Sequence, residues 1–242
     1  MKVRNSDRFL NAFARIEKHL RRTTASDHTI GFSALLTKAR GRDASLRAYE
    51  VDLREYADLR NAIVHERSGG EPIAEPHDDV VRKIEGIADL ITRPPGVEFF
   101  KGKVTSFNPD DPIALAVRAM YAKSYSQAPI YENGHFAGLL TTNTIARWLG
   151  AQASEDIFSL QETPIREVLR FSEDDDNHSF LSRKATLFDV LELFHAHERR
   201  GRRLDAVLIT ENGAPSDKPL GIITAWDLPK VMEAIHVGPR EP

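Results

Sequence analysis

Residues 221–227 read Gly-Ile-Ile-Thr-Ala-Trp-Asp, and residues 138–144 read Gly-Leu-Leu-Thr-Thr-Asn-Thr, an offset of 83. Upstream, Glu132-Asn133-Gly134 matches Glu211-Asn212-Gly213 at an offset of 79. Further upstream, the run from Pro112 to Met120 aligns with the run from Thr186 to Phe194 at an offset of 74. Three blocks in one order describe a duplicated unit, whose second copy carries extra residues on both sides of its Asn-Gly. Each copy reads helix, strand, Asn-Gly turn, strand, helix. Asn-Gly accepts positive φ at both central positions, so both copies are expected to make compact hairpins. The second would join strands near Ala206–Ile209 and Leu220–Thr224.

Toward the N-terminus the periodicity changes. Phe9, Phe13, Ile16 and Leu20 recur at helical spacing. A short segment over 31–40 follows. Leu46, Tyr49, Leu53, Tyr56 and Ile63 then form one stripe behind Asp43, a residue suited to an N-cap. Ser68-Gly69-Gly70 ends that helix, and Val80, Val81, Ile84, Ile87 and Ile91 mark another. Pro94-Pro95-Gly96 closes the region. The fold class is α+β: an all-helical bundle over residues 1–94, then repeats over 95–150 and 151–242.

The chain has 242 residues, a net charge of -3 and no Cys. Disulfides, thiolate metal sites and a thiol nucleophile are therefore excluded. No apolar run approaches the roughly 18 residues that span a bilayer. The first stretch carries charges throughout, which argues against a secretory signal and for a cytoplasmic protein. Basic residues outnumber acidic ones over 1–47, although the whole chain is acidic. Such an end can attract phosphates or serve only as a solvated face. His195 and His197 are two apart on a helix and cannot chelate one metal, and Glu173-Asp174-Asp175-Asp176 reads as a solvated loop. No metal is expected.

Two tandem units, each ending in Gly-hydrophobic-hydrophobic-Thr before a helix, resemble CBS domains. A CBS pair forms a pseudo-twofold disc, the Bateman module, which commonly binds adenine nucleotides. The resemblance implies AMP, ADP or ATP as ligand. The family pattern Gly-h-h-Thr-x-x-Asp is complete in the second copy, where Asp227 would accept both ribose hydroxyls and Thr224 would reach a phosphate. The alternative is that Thr224 caps the helix and Asp227 fills its first turn. In the first copy Thr144 stands where Asp would be, which makes that cleft weaker, differently selective or empty. Arg199-Arg200-Gly201-Arg202-Arg203 is either a solvated run or a phosphate grip, with Arg203 nearest the strand.

Arg60-Asn61-Ala62-Ile63-Val64-His65 resembles the Arg-x4-6-His motif of HEPN domains, helical bundles that often dimerise. Arg60 falls within the apolar stripe of its helix, where a charge needs partners. Active members are metal-independent ribonucleases, in which His handles protons and Arg neutralises the phosphate. The resemblance implies catalytic roles for Arg60, Asn61 and His65, an RNA partner and a homodimer. Three readings stay open: a CBS pair that reads a nucleotide and modulates the helical domain, a nucleotide-regulated endoribonuclease, and a ligand-free dimerisation scaffold.

Overall fold

The computed structural model describes residues 3–27, 29–65, 67–68, 71–72, 74–153, 159–172 and 177–236. The chain divides into two compact units. One comprises the chain to Pro95 with Thr186–Asp189 and the residues from Lys230; the other comprises Gly96–Ala185 and Val190–Pro229.

The first unit holds α1 (Asn5–Thr24), α2 (Phe32–Arg40), α3 (Ala44–Ala48), α4 (Glu50–His65), the two-residue strands β1 (Arg67–Ser68) and β2 (Glu71–Pro72), and α5 (Asp78–Thr92). Phe9, Phe13, Ile16 and Leu20 bury one face of α1 against Leu35 and Leu36, Leu53, Tyr56 and Ile63, and Val81, Ile84, Ile87 and Ile91. Burying each such side chain contributes about 1.5–3 kcal/mol relative to exposure. Arg8 adds polar ties from α1 to α5, reaching Asp78 at 2.9 Å and Glu85 at 2.7 Å.

The stripe from Leu46 to Ile63 belongs to two helices, not one. Tyr49 leaves the helical region at φ -112° and ψ 16°, and separates α3 from α4. Asp43 caps α3 by accepting from the amides of Ser45 and Leu46. Burial works to raise its carboxyl, but His19, the Ser45 hydroxyl and those amides hold it below the ordinary aspartate value. Residues 69 and 70, expected to end the helix, lie outside the described residues. Arg67–Ser68 and Glu71–Pro72 flank them as an antiparallel pair.

The second unit carries the first repeat copy and most of the second, whose residues Thr186–Asp189 and those from Lys230 belong to the first unit. The first copy is α6 (Ile113–Lys123), β3 (Gln127–Glu132), β4 (His135–Thr141) and α7 (Thr142–Gln152). After α8 (Ile165–Leu169) and β5 (His178–Ser182), the second copy is α9 (Leu187–Arg199), β6 (Ala206–Thr210), β7 (Gly221–Thr224), a 3-10 turn Ala225–Asp227 and α10 (Leu228–Ala234). Strand register confirms the duplication. Gln127 pairs antiparallel with Thr141 as Ala206 does with Thr224. Phe107 bridges Ile130 in parallel as Leu181 pairs with Ile209.

Only the first Asn-Gly makes the tight hairpin. Asn133 and Gly134 take φ values of 51° and 82° between β3 and β4. The second belongs to a longer loop between Thr210 and Gly221, because the added residues there leave no two-residue connection. Gly213 alone is left-handed, at φ 80°, and its amide donates to the Thr210 hydroxyl at 2.9 Å. The Asn212 amide donates to Asp217 at 2.7 Å.

Each copy also takes up the segment that precedes the other. The 3-10 turn Val97–Phe100 leads into Lys101, which bridges Gly221 of β7, and the Gly102 amide donates to Leu220 O at 3.0 Å. Reciprocally, Ile165 and Val168 of α8 are buried in the first copy with Ile113, Met120, Ile130, Leu140 and Trp148. This exchange decides which residues face Thr224.

Candidate functional site

Thr224 ends β7 and opens the turn into α10. Asp227 reaches back: one carboxylate oxygen accepts from the Thr224 amide at 2.9 Å and from its hydroxyl at 3.0 Å. This is the reciprocal geometry of a capping box, so the capping alternative is realised at both residues. It engages one of the two carboxylate oxygens. In the first copy Thr141 and Thr144 occupy the same two places. Their hydroxyls lie 2.9 Å apart and the Thr144 amide donates to Thr141 at 3.0 Å. Both side chains are buried, whereas Thr224 and Asp227 are half-exposed.

Thr224 lines a cavity of about 240 Å³. Its second-copy wall is Ile222, Thr224 and Trp226. The facing wall comes from the first copy and the segment before it: Lys103, Val104 and Thr105, then residues 124–127 and Pro129. The pairing of Lys101 with Gly221 sets these walls opposite each other. Apolar sides from Val104, Pro129 and Ile222, with hydroxyls from Thr105, Ser124, Ser126 and Thr224, suit a partly apolar ligand held by a few convergent polar groups. Trp226 is 83% exposed at the rim, an unusual exposure for indole. Asp227 is bonded to Thr224 but is not itself among the lining residues.

Arg203 is not brought to this cavity. Ser124, just past the end of α6, is the residue lining here. Arg203 instead donates from Nε to Asp205 at 2.6 Å, and Asn177 reaches the same carboxylate at 3.3 Å. Sequence reading missed the residues over 103–105 and 124–127. The signal was the repeat itself, since pseudo-twofold packing builds each cleft from both copies.

The model for the CBS domain family matches residues 87–151 and 160–234, more than half of the chain. The chain belongs to the CBS-domain family. Solved structures resemble it in fold. A protein with CBS domains from Burkholderia ambifaria is 13% identical, covering 58% of this chain and 88% of its own, with a TM-score of 0.41. A CBS domain-containing protein from Kribbella flavida is 16% identical, covering 57% and 99%, with a TM-score of 0.44. One from Agrobacterium tumefaciens is 15% identical, covering 59% and 94%, with a TM-score of 0.39. At these values the likenesses carry no part of the assignment, which rests on the family model. Comparison with curated proteins produces no match.

Outside the CBS pair, α4 carries Arg60 and Asn61. Arg60 is half-buried, not enclosed as its position in the stripe implies, because its long stem carries the guanidinium to the edge. Its Nη1 donates to Asn61 Oδ1 at 3.1 Å. Both residues line a cavity of about 580 Å³ with Glu17 and Arg21 of α1 and the start of α2. The His65 side chain lies outside the described residues, as does the acidic run 173–176. Among the described residues no cluster of His, Asp and Glu could hold a metal, and no helix is long and apolar enough to cross a membrane.

Proposed function

We propose that this chain is a cytoplasmic regulatory protein whose CBS pair binds an adenine nucleotide at the Thr224 cleft. Binding then biases the helical domain, which acts as a homodimer. The cavity at Thr224, with an exposed indole on its rim, is the observation that carries this reading. A planar adenine can stack on Trp226 while hydroxyls converge on the sugar and phosphate. Regulation further requires that the ligand bind two arrangements of the protein with different affinity.

The chain has two tryptophans, of which Trp148 is 3% exposed and Trp226 is 83% exposed. Titration with AMP, ADP and ATP is therefore expected to quench the solvent-exposed emission in a saturable way. The quench should disappear in Trp226→Phe, which leaves only the buried fluorophore. Flat titrations with all three nucleotides, confirmed by calorimetry, would leave the ligand-free scaffold as the reading.

Arg60 and Asn61 on the wall of the helical-domain cavity favour a second output, metal-independent endoribonuclease activity. Arg60 would neutralise the scissile phosphate and His65 would transfer protons, with Asn61 orienting the guanidinium through the bond it accepts. The expected result is RNA cleavage that continues in EDTA and is lost in Arg60→Ala. Cleavage that EDTA abolishes, or that persists in Arg60→Ala, rejects this output and leaves an interaction domain.

A further inference from the structure

Lys103 stands apart from the other cations around the Thr224 cleft. Lys101 is paired with Glu98 at 2.7 Å, and Arg203 is paired with Asp205. Lys123 donates to the Thr105 hydroxyl at 2.7 Å, lies 5.7 Å from the Tyr125 ring centroid, and is not among the lining residues. Lys103 itself lines the cavity, is exposed, and has no carboxylate partner among the described residues. Among the described residues no Asp or Glu lines the same cavity. Lys103 is thus, among the described residues, the one cation in the lining, beside the hydroxyls of Thr105, Ser124, Ser126 and Thr224.

Resting on the nucleotide reading, we infer that Lys103 is the phosphate-reading residue and that the cleft selects a nucleoside monophosphate, with further phosphates adding no affinity. Arg203, just before the second copy's first strand, has a guanidinium able to grip phosphate oxygens bidentately. That group is committed to Asp205 and lies outside this lining. A second or third phosphate added at the Thr224 cleft would bring further negative charge without a second lining cation. Size points the same way. About 240 Å³ falls below the roughly 300–1,000 Å³ of pockets that enclose a drug-sized ligand. A nucleoside with one phosphate at the rim fills it, and a polyphosphate tail would extend into water.

Calorimetry on the intact chain with adenosine, AMP and ATP tests the inference. AMP should bind about tenfold more tightly than adenosine, the lower end of what a charge-assisted hydrogen bond contributes. ATP should bind no more tightly than AMP. Lys103→Gln should bring AMP down to the affinity of adenosine and leave adenosine unchanged, which also shows that the cleft still folds. Ser124→Arg supplies the missing cation and should favour ATP over AMP. If ATP binds wild type tenfold more tightly than AMP, or if Lys123→Gln weakens AMP and Lys103→Gln does not, the inference is overturned. Adenosine binding without any AMP advantage also overturns it, while the nucleoside site stands. Failure of all three ligands to bind would instead reject the nucleotide reading beneath it.

Discussion

Gly221→Ala is expected to lower the unfolding free energy by about 2–3 kcal/mol, although it removes no atom from the core. A Cβ at this position would lie 2.5 Å from Phe100 O, 3.2 Å from Phe100 C and 3.1 Å from Ile209 Cδ1. Two of those three atoms are backbone, so no rotamer change can relieve the contact. The segment from Phe100 to Gly102 would have to withdraw, breaking the bridge between Lys101 and Gly221 and the bond from the Gly102 amide to Leu220. Lys103, Val104 and Thr105 follow directly, so the wall facing Thr224 would move with it. Denaturant unfolding of wild type and variant measures the first effect, and nucleotide titration measures the second. A change below about 0.5 kcal/mol with unchanged binding would show that the close approach is absent in solution.

This contact gives a physical reason for the glycine that opens the Gly-h-h-Thr pattern, a reason the pattern alone does not contain. Other features were readable directly. Phe9, Phe13, Ile16 and Leu20 repeat at helical spacing because one face of α1 is buried, and that face is what a sequence records. The offsets of the repeat blocks agree with the strand registers because pairing preserves position within each copy. The break at Tyr49 was not readable, since the apolar stripe continues through it and only the backbone dihedrals change there. Asn212-Gly213 looked like a second hairpin because the dipeptide is the strongest short-range turn signal. The residues inserted after it lengthen the connection into a loop. For the cleft, Thr224 and Asp227 were visible as a motif, while Lys103 and Ser124 were not. They reach the site through exchange between copies, a non-local fact without a signature at either residue. Arg203 lies outside this lining, and proximity in sequence to the second copy's strand does not say which cleft that strand's start faces.

Asp227→Ala is expected to weaken adenosine binding by about one to two decades, but that loss alone has two explanations. Asp227 already accepts from the Thr224 amide and hydroxyl, so its removal also deletes a cap worth about 0.5–2 kcal/mol and loosens Thr224 itself. Ribose capture by the other carboxylate oxygen makes a different demand, a diol on the ligand. Wild type should therefore bind 2′-deoxyadenosine about 10- to 100-fold more weakly than adenosine, since losing hydrogen bonds to a charged acceptor typically removes 1.5–3 kcal/mol. In Asp227→Ala the two ligands should bind alike, because the group that distinguishes them is gone. A purely structural carboxylate would weaken both ligands equally and leave any preference for the 2′ hydroxyl intact. Thr144→Ala supplies the comparison in the first copy. Thr144 is buried and bonded to Thr141, so its loss should slightly destabilise the start of α7 and leave nucleoside affinity at the Thr224 cleft unchanged. If Thr144→Ala abolishes binding while Asp227→Ala retains full discrimination between the two nucleosides, the ligand occupies the other cleft and Asp227 serves only the helix.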